Sequence, residues 1–376
     1  MNKKVEFKRF IGKVGASENG PTIICVGGIH GNEPAGIYAI ENVINTLISN
    51  EIKLNGQLVG LSGNLSALNQ DKRFISYDLN RMWTESSIEN DCHDIKTCIE
   101  LKEQQDLLAE LENIFDKTDN QIYFLDLHTS GAEGHPFACI GDNIRNRDFA
   151  MQFPIPIILG LEEQIDGALL EYVNNLGAIT MGVEGGQHNS KNAVEFLEAI
   201  IWIALKIANM INNKIYEKVS DKFAELEDYS KDIPKVLEVR YRHGVDRRQD
   251  FTMAGGYTNF QEIRKNEFLA TDQQKSIYAN ESGRILLPLY QALGDDGFFV
   301  IREVKIFWLK ISKLLRKYNL NKFLRLLPGI NNHPTNNLKL IINQKIAKFY
   351  AIDIFHLLGY RKRRIENGQI MVSRRR

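Results

Sequence analysis

Across its first two hundred residues the chain alternates short apolar runs with longer stretches of helical periodicity. Thr22–Val26 is a β-branched apolar run that stops at Gly27-Gly28. Pro34–Ile48 then repeats apolar residues at helical spacing, with proline in its first turn. Gln57–Leu61, Ile122–Leu127, Ile155–Leu159 and Ala178–Val183 are further strand-like runs, and Ala193–Ile211 is a long helical pattern. Alternation of this kind predicts an α/β sheet with helices on both faces. Asp221–Pro234 is charged and poor in apolar residues, which predicts a boundary. From Lys235 to Arg302 the pattern changes to short strands separated by Gly-Gly, Ser-Gly and Gly-Asp-Asp-Gly turns, the mark of a small β-rich domain. Beyond it Val304, Phe307, Trp308, Ile311, Leu314, Leu315 and Tyr318 fall on one helical face, opposite Lys305, Lys310, Lys313, Arg316 and Lys317. The expected division is 1–220, 235–303 and a basic helical extension over 304–376.

At 376 residues the chain is long enough for two cores and an appendage. Its apolar and charged shares, 43% and 25%, are those of a folded globular protein and exclude a disordered or fibrous class. The formal charge of zero conceals two poles. Residues 304–376 hold nine Lys and eight Arg against Asp353 and Glu366, a net of +15, so residues 1–303 carry −15. Cys25, Cys92, Cys98 and Cys139 follow no disulfide spacing; Cys92 and Cys98 flank His93, but too far apart for a zinc knuckle, and free thiols are expected. No apolar run is long enough for a signal peptide or a membrane span, and a reducing cytoplasm fits.

Chemistry enters at the strand ends. In GGIHGNEPAG, His30 and Glu33 stand three apart in a glycine-rich turn leading from strand to helix, two thirds of a His-His-Glu catalytic zinc set. The turn sits at the carboxyl edge of the sheet, where ligands of open α/β folds bind. In YFLDLHTSG, His128 emerges at another such edge. Asp126, two residues earlier on the same side of the strand, is placed to accept a hydrogen bond from a ligand histidine, or else caps a turn. In AITMGVEGGQH, Glu184 is flanked by glycines; it is either a general base beside a metal or an acid favoured by the N-terminus of the following helix. The stretch SGNLSALNQDKRFISYDLNRMW adds Arg73, Asn80 and Arg81, with Asp78 nearby, residues able to clamp a carboxylate or steady an oxyanion.

These pieces, in this order, resemble the succinylglutamate desuccinylase and aspartoacylase family, a branch of the zinc carboxypeptidase-like hydrolases. The resemblance runs from about Pro21 to His188, on GGIHGNEPAG, the stretch from Gly63 through DLNR, DLHTS and VEGG, and continues weakly to about Val300. It implies an α/β, mixed-sheet zinc-carboxypeptidase-like domain with a smaller β-rich second domain, and one Zn2+ held by His30, Glu33 and His128. It makes Glu184 the general acid/base, Arg73 the group that polarises the scissile carbonyl, and Asn80 and Arg81 the holders of a substrate carboxylate. Two departures stand out. Gly160–Val183 lacks the further substrate arginine of aspartoacylases, and Phe298 and Phe299 occupy the region where those enzymes place a tyrosine. His188 is a local extra, either touching substrate or capping a helix.

The expected activity is hydrolysis of an amide in a small N-acyl amino acid or similar carboxylate-bearing molecule. A carboxypeptidase-like or ester-cleaving zinc hydrolase and a non-catalytic binding protein on the same fold are the alternatives. The tail carries no recognisable nucleic-acid motif, so no nucleic-acid partner is expected. Docking of the tail on the acidic body or a partner subunit ranks ahead of contact with anionic lipid, and a homo-oligomer stays open.

Overall fold

The structure, a computed structural model, describes residues 6–84, 87–88, 98–161, 164–188, 190–217, 220–246, 250–291, 293–320, 324, 328–332, 339–343, 357–366 and 369–374. Cys92 and His93 lie outside the described residues, while Cys98 is a free thiol.

The expected strand-like runs become strands of one large sheet. Thr22–Gly27 (β2), Gln57–Ser62 (β3), Ile122–Ser130 (β4) and Ile179–Gln187 (β7) pair in parallel in the order β3-β2-β4-β7. Every residue of β2 and β3 is buried, as expected of strands covered on both faces. The sheet extends on one side through Phe10–Gly15 (β1). On the other it continues through Phe137–Ile140 (β5), Ile157–Leu159 (β6), Val236–Gly244 (β8), Asp296–Glu303 (β14), Gly283–Leu286 (β13) and Glu262–Ile263 (β10), eleven strands in all among the described residues.

Helices Ala35–Ser49 and Lys191–Ile207 cover one face with Val43, Leu47, Phe196 and Ile200 in its core. Helices Ile99–Asp116 and Leu169–Asn175 cover the other around Leu107, Leu111, Phe124 and Val173. Charged Asp221–Pro234, expected as a boundary, is mostly the helix Ser220–Ser230, packed on Lys191–Ile207. The main sheet runs past it, since β8 pairs with β6. Only Phe251–Met253 (β9), Phe268–Asp272 (β11) and Lys275–Tyr278 (β12) of the β-rich region form a separate small sheet.

The tail differs most from expectation. After the helix Ile306–Lys317 it forms an antiparallel four-stranded sheet from Ile330–Asn332 (β15), Lys339–Asn343 (β16), Tyr360–Glu366 (β17) and Gln369–Arg374 (β18). A helix alone could not bury Leu324, Leu340, Ile342, Tyr360 and Val372; the sheet gathers them into a core of their own. The helix is pinned to the first half of the chain by polar groups. Arg316, 6% exposed, donates to the Asp142 backbone oxygen at 3.0 Å and to its Oδ2 at 3.1 Å. Arg147 pairs with the same carboxylate and donates to Ser312 Oγ at 3.0 Å. Asp142→Ala removes the carboxylate shared by the buried Arg316 and the half-buried Arg147, and a loss of about 3–5 kcal/mol is expected in chemical denaturation. Asp148→Ala, whose ion pair with Lys313 is exposed, should cost no more than ~1 kcal/mol.

Candidate metal centre and active-site cleft

Adjacent strands β2, β4 and β7 bring their carboxyl ends to one place, and each delivers one part of the site. After β2 the chain turns through Gly28, at φ +71°, a left-handed conformation suited to glycine. Gly31 passes so close to Ala67 that a Cβ would sit 2.1 Å from its backbone carbon. The turn closes with the Glu33 N–H donating to the His30 oxygen at 3.1 Å, which sets the two side chains together. Helix Ala35–Ser49 follows, with Pro34 at its N-cap.

His30, Glu33 and His128 are all buried, and their ligand atoms lie within 4.8 Å of one another. Glu33 is the centre: Oε1 is 2.9 Å from His30 Nδ1, while Oε2 is 3.1 Å from His128 Nδ1 and accepts the Thr129 N–H at 3.1 Å. Each imidazole turns its other nitrogen to a second carboxylate, His30 Nε2 to Asp78 Oδ1 and His128 Nε2 to Asp126 Oδ2, both at 3.1 Å. Backing of this kind fixes ring orientation in metal sites, and two imidazoles with one carboxylate is a donor set that fits a divalent ion such as zinc. Burial works to raise the Glu33 carboxyl, but the two histidines hold it well below the usual carboxylate range. Burial works to lower His128, yet Asp126 and Glu33 raise it well above the ordinary imidazole value.

Glu184 lies inside β7, not at a helix start, and is the register partner of His128 across β4. Its Oε2 is buried without a hydrogen-bond partner among the described residues. Burial, the largest influence, pushes its pKa up to about 7, with His128 opposing and Glu33 adding. Arg73 places Nη1 3.5 Å from Glu33 Oε1 and Nη2 3.1 Å from Asp78 Oδ2, and its buried Nε is unpaired. These groups line a cavity of about 150 Å³ that Asn80, Arg81, Tyr290 and Asp296 line as well.

Residues 19–206, half the chain, match the sequence model of the succinylglutamate desuccinylase/aspartoacylase catalytic domain. The chain belongs to that family. Succinylglutamate desuccinylase of Pseudomonas paraeruginosa is 31% identical over 117 residues, 31% of this chain and 33% of that protein, so the chain spans about a third of this curated relative's length. Among solved structures, succinylglutamate desuccinylase from Vibrio cholerae superposes with TM-score 0.55 at 19% identity, covering 77% of this chain and 83% of that one. Succinylglutamate desuccinylase/aspartoacylase from Rhodobacter sphaeroides gives 0.54 at 16%, covering 78% and 88%. These two show a shared fold.

Within this member of the family the expected site residues gather, with corrections. Arg81 is not an unpaired cleft arginine: its Nη2 binds Asp296 Oδ2 at 2.9 Å, and Arg242 takes Oδ1 of the same carboxylate. Asn80 lends its side-chain oxygen to the Leu169 N–H at 2.9 Å, at the start of a helix. His188 neither caps the next helix nor lines the cavity; it stands 2.8 Å from Thr129 Oγ1 and 3.4 Å from Gln291 Oε1, two residues that do line it. Phe298 and Phe299 are core residues, and the aromatic that reaches the cavity from the second half is Tyr290. Sequence reasoning missed Asp296 and Arg242, which lie far along the chain, and the roles of Asp78 and Glu100. The fully buried Glu100 accepts the N–H groups of Ile75, Ser76 and Tyr77 at 2.6, 3.0 and 3.1 Å, fixing the loop that carries Arg73 and Asp78.

Asp78→Asn and Asp126→Asn should each weaken metal binding about 10–100-fold without unfolding the protein, as measured by competition with a chromogenic chelator. Unchanged affinity in both would mean that these carboxylates do not orient the ligands.

Proposed function

We propose that this family member hydrolyses an amide bond in a small N-acyl amino acid, or a related amide carrying a free carboxylate, with one Zn2+ held by His30, Glu33 and His128. One observation carries the reading: an unpartnered Glu184 oxygen stands on the strand beside His128, at the edge of the triad in the same cavity. The names of the relatives, succinylglutamate desuccinylase and aspartoacylase, support an N-acyl amino acid as the substrate class.

When bound, the ion supplies Lewis acidity toward the carbonyl and makes water a better nucleophile at neutral pH. Glu184 accepts the proton of the attacking water. The C–O bond forms as the carbonyl electrons move onto its oxygen, where Arg73 offsets the charge. Glu184 then returns the proton to the departing nitrogen as the C–N bond breaks, giving a carboxylic acid and an amine. Raising Glu184 toward neutrality suits both roles, because the group must give up the proton it takes.

Glu184→Gln should therefore lower kcat roughly 10²–10⁴-fold while metal content stays constant. Ionised Glu184 is the active base, so kcat/KM in the wild type should rise with pH through the pKa of this group. A cation beside it lowers that value, placing the limb at or below about 7. The limb should be absent from the residual activity of the Gln variant. A Gln variant with normal turnover would remove Glu184 from the mechanism.

The carboxylate clamp stands on charge balance. Arg81 and Arg242 share Asp296, so these three residues together carry one net positive charge, and Arg81 and Asp296 line the cavity beside Glu171 and Asp295. The same pairing favours a second reading, a hydrolase that requires no substrate carboxylate, because Arg81 already has a counter-ion. A substrate pair differing only in a free or amidated carboxylate separates the two. The clamp predicts a lower KM for the free acid, lost in Arg81→Ala with kcat little changed; equal kcat/KM for the pair favours the second reading.

A further inference from the structure

The helix Ile306–Lys317 is seated with two polar residues, Ser312 and Arg316, inward. Ser312 and Arg316 are buried, held by Arg147, Asp142 and the Leu357 carbonyl, which Ser312 Oγ reaches at 2.7 Å. The apolar residues divide three ways. Leu309 packs on the main core and Leu315 on the core of the tail sheet. Phe307, Trp308, Leu314 and Tyr318 stay in solvent at 63%, 48%, 55% and 64% exposure. At 100° per residue Phe307, Leu314 and Tyr318 form one outward ridge, and Lys310 and Lys317 run along its flank. Rolling the helix to hide this ridge would pull Arg316 off a carboxylate that is itself buried, so the ridge is locked outward.

We infer that this ridge is a docking surface for an anionic lipid membrane. Its composition is that of an interfacial helix: aromatic and aliphatic residues that enter the acyl boundary, beside lysines whose ammonium groups reach the headgroups. The charge of the whole chain acts in the same direction: residues 304–376, the segment that carries the ridge, have a net charge of +15 that anionic lipid attracts, against −15 on residues 1–303. Pairing of the ridge with the same helix of a second copy would set lysine against lysine. No described helix is long and apolar enough to cross a membrane, so the contact is peripheral. The cavity lies outside this surface, as none of these residues line it.

The test is sedimentation of the full chain with vesicles of phosphatidylcholine alone or mixed with phosphatidylglycerol. Wild-type protein should pellet with the mixed vesicles, release in high salt, and stay in solution with phosphatidylcholine. Phe307→Ser combined with Leu314→Ser should weaken partitioning at least about tenfold. Lys310→Gln combined with Lys317→Gln should weaken it roughly fivefold for each lysine. Circular dichroism and hydrolysis of a soluble substrate should be unchanged in both. If the serine pair disturbs the helix, the glutamine pair, confined to exposed lysines, decides. No binding to mixed vesicles at low salt, equal binding to both vesicle types, or binding indifferent to both variants overturns the inference. A dimer by light scattering that the serine pair converts to monomer, with vesicle binding intact, also overturns it and assigns the ridge to a second copy.

Discussion

A carboxylate at the centre of the fold, Glu33, has to stay charged while almost wholly excluded from water. An isolated ion in that position would be prohibitively costly, so its surroundings are built to compensate it. Two imidazoles, one backbone N–H and the Arg73 guanidinium do so, and they arrive from β4, from the loop after β3 and from the turn after β2. Their convergence requires β2 to lie between β3 and β4, the order the sheet has. The compensation has a functional consequence. The two imidazoles that stabilise Glu33 also make, together with it, a donor set that fits a divalent cation.

A second tier of buried acids maintains the first. Glu100 and Glu103, one helical turn apart on Ile99–Asp116, face the loops after β3 rather than solvent. Glu100 satisfies three successive backbone donors before Asp78, and Glu103 accepts the N–H groups of Leu65 and Ser66 at 3.2 and 2.9 Å and pairs with Arg9. An irregular loop at this depth would otherwise leave donors unpaired. Holding it still fixes Asp78 against His30 and Arg73 against Glu33, the precision a catalytic constellation needs. Asp296 acts similarly from the other half of the chain, tying Arg81 to Arg242 and so joining the loop after β3 to β8 and β14 across the cleft.

The amino-acid pattern alone determined the α/β class, the strands that carry the site, and His30, Glu33, His128 and Glu184 as a group. Those signals are local: β-branched runs ending in glycine mark strands with buried faces, and polar residues just past them mark the carboxyl edge. Asp126 was legible for the same reason, since two residues along a strand share one side. Strands β1 and β5 and the helix Ile99–Asp116 were not. Strand β1 has no buried residue and so no continuous apolar run, β5 is only four residues long, and the helix has a charged sequence whose buried positions include glutamates, so its apolar periodicity is weak.

What only the tertiary structure decided are the relations between distant segments. No spacing rule links Arg81 to Asp296 and Arg242, or Glu100 to the loop it holds, because such pairs depend on how strands far apart in sequence are laid side by side. The tail shows the limit most clearly. Helical periodicity separated an apolar face from a basic one, but it did not say which of them the body would cover. The buried Asp142 needed cations, and Arg316 and Arg147 supplied them, so the helix turned Ser312 and Arg316 inward and left Phe307, Leu314 and Tyr318 outside. Periodicity specifies which residues share a face; which face is buried depends on the partner the rest of the fold presents.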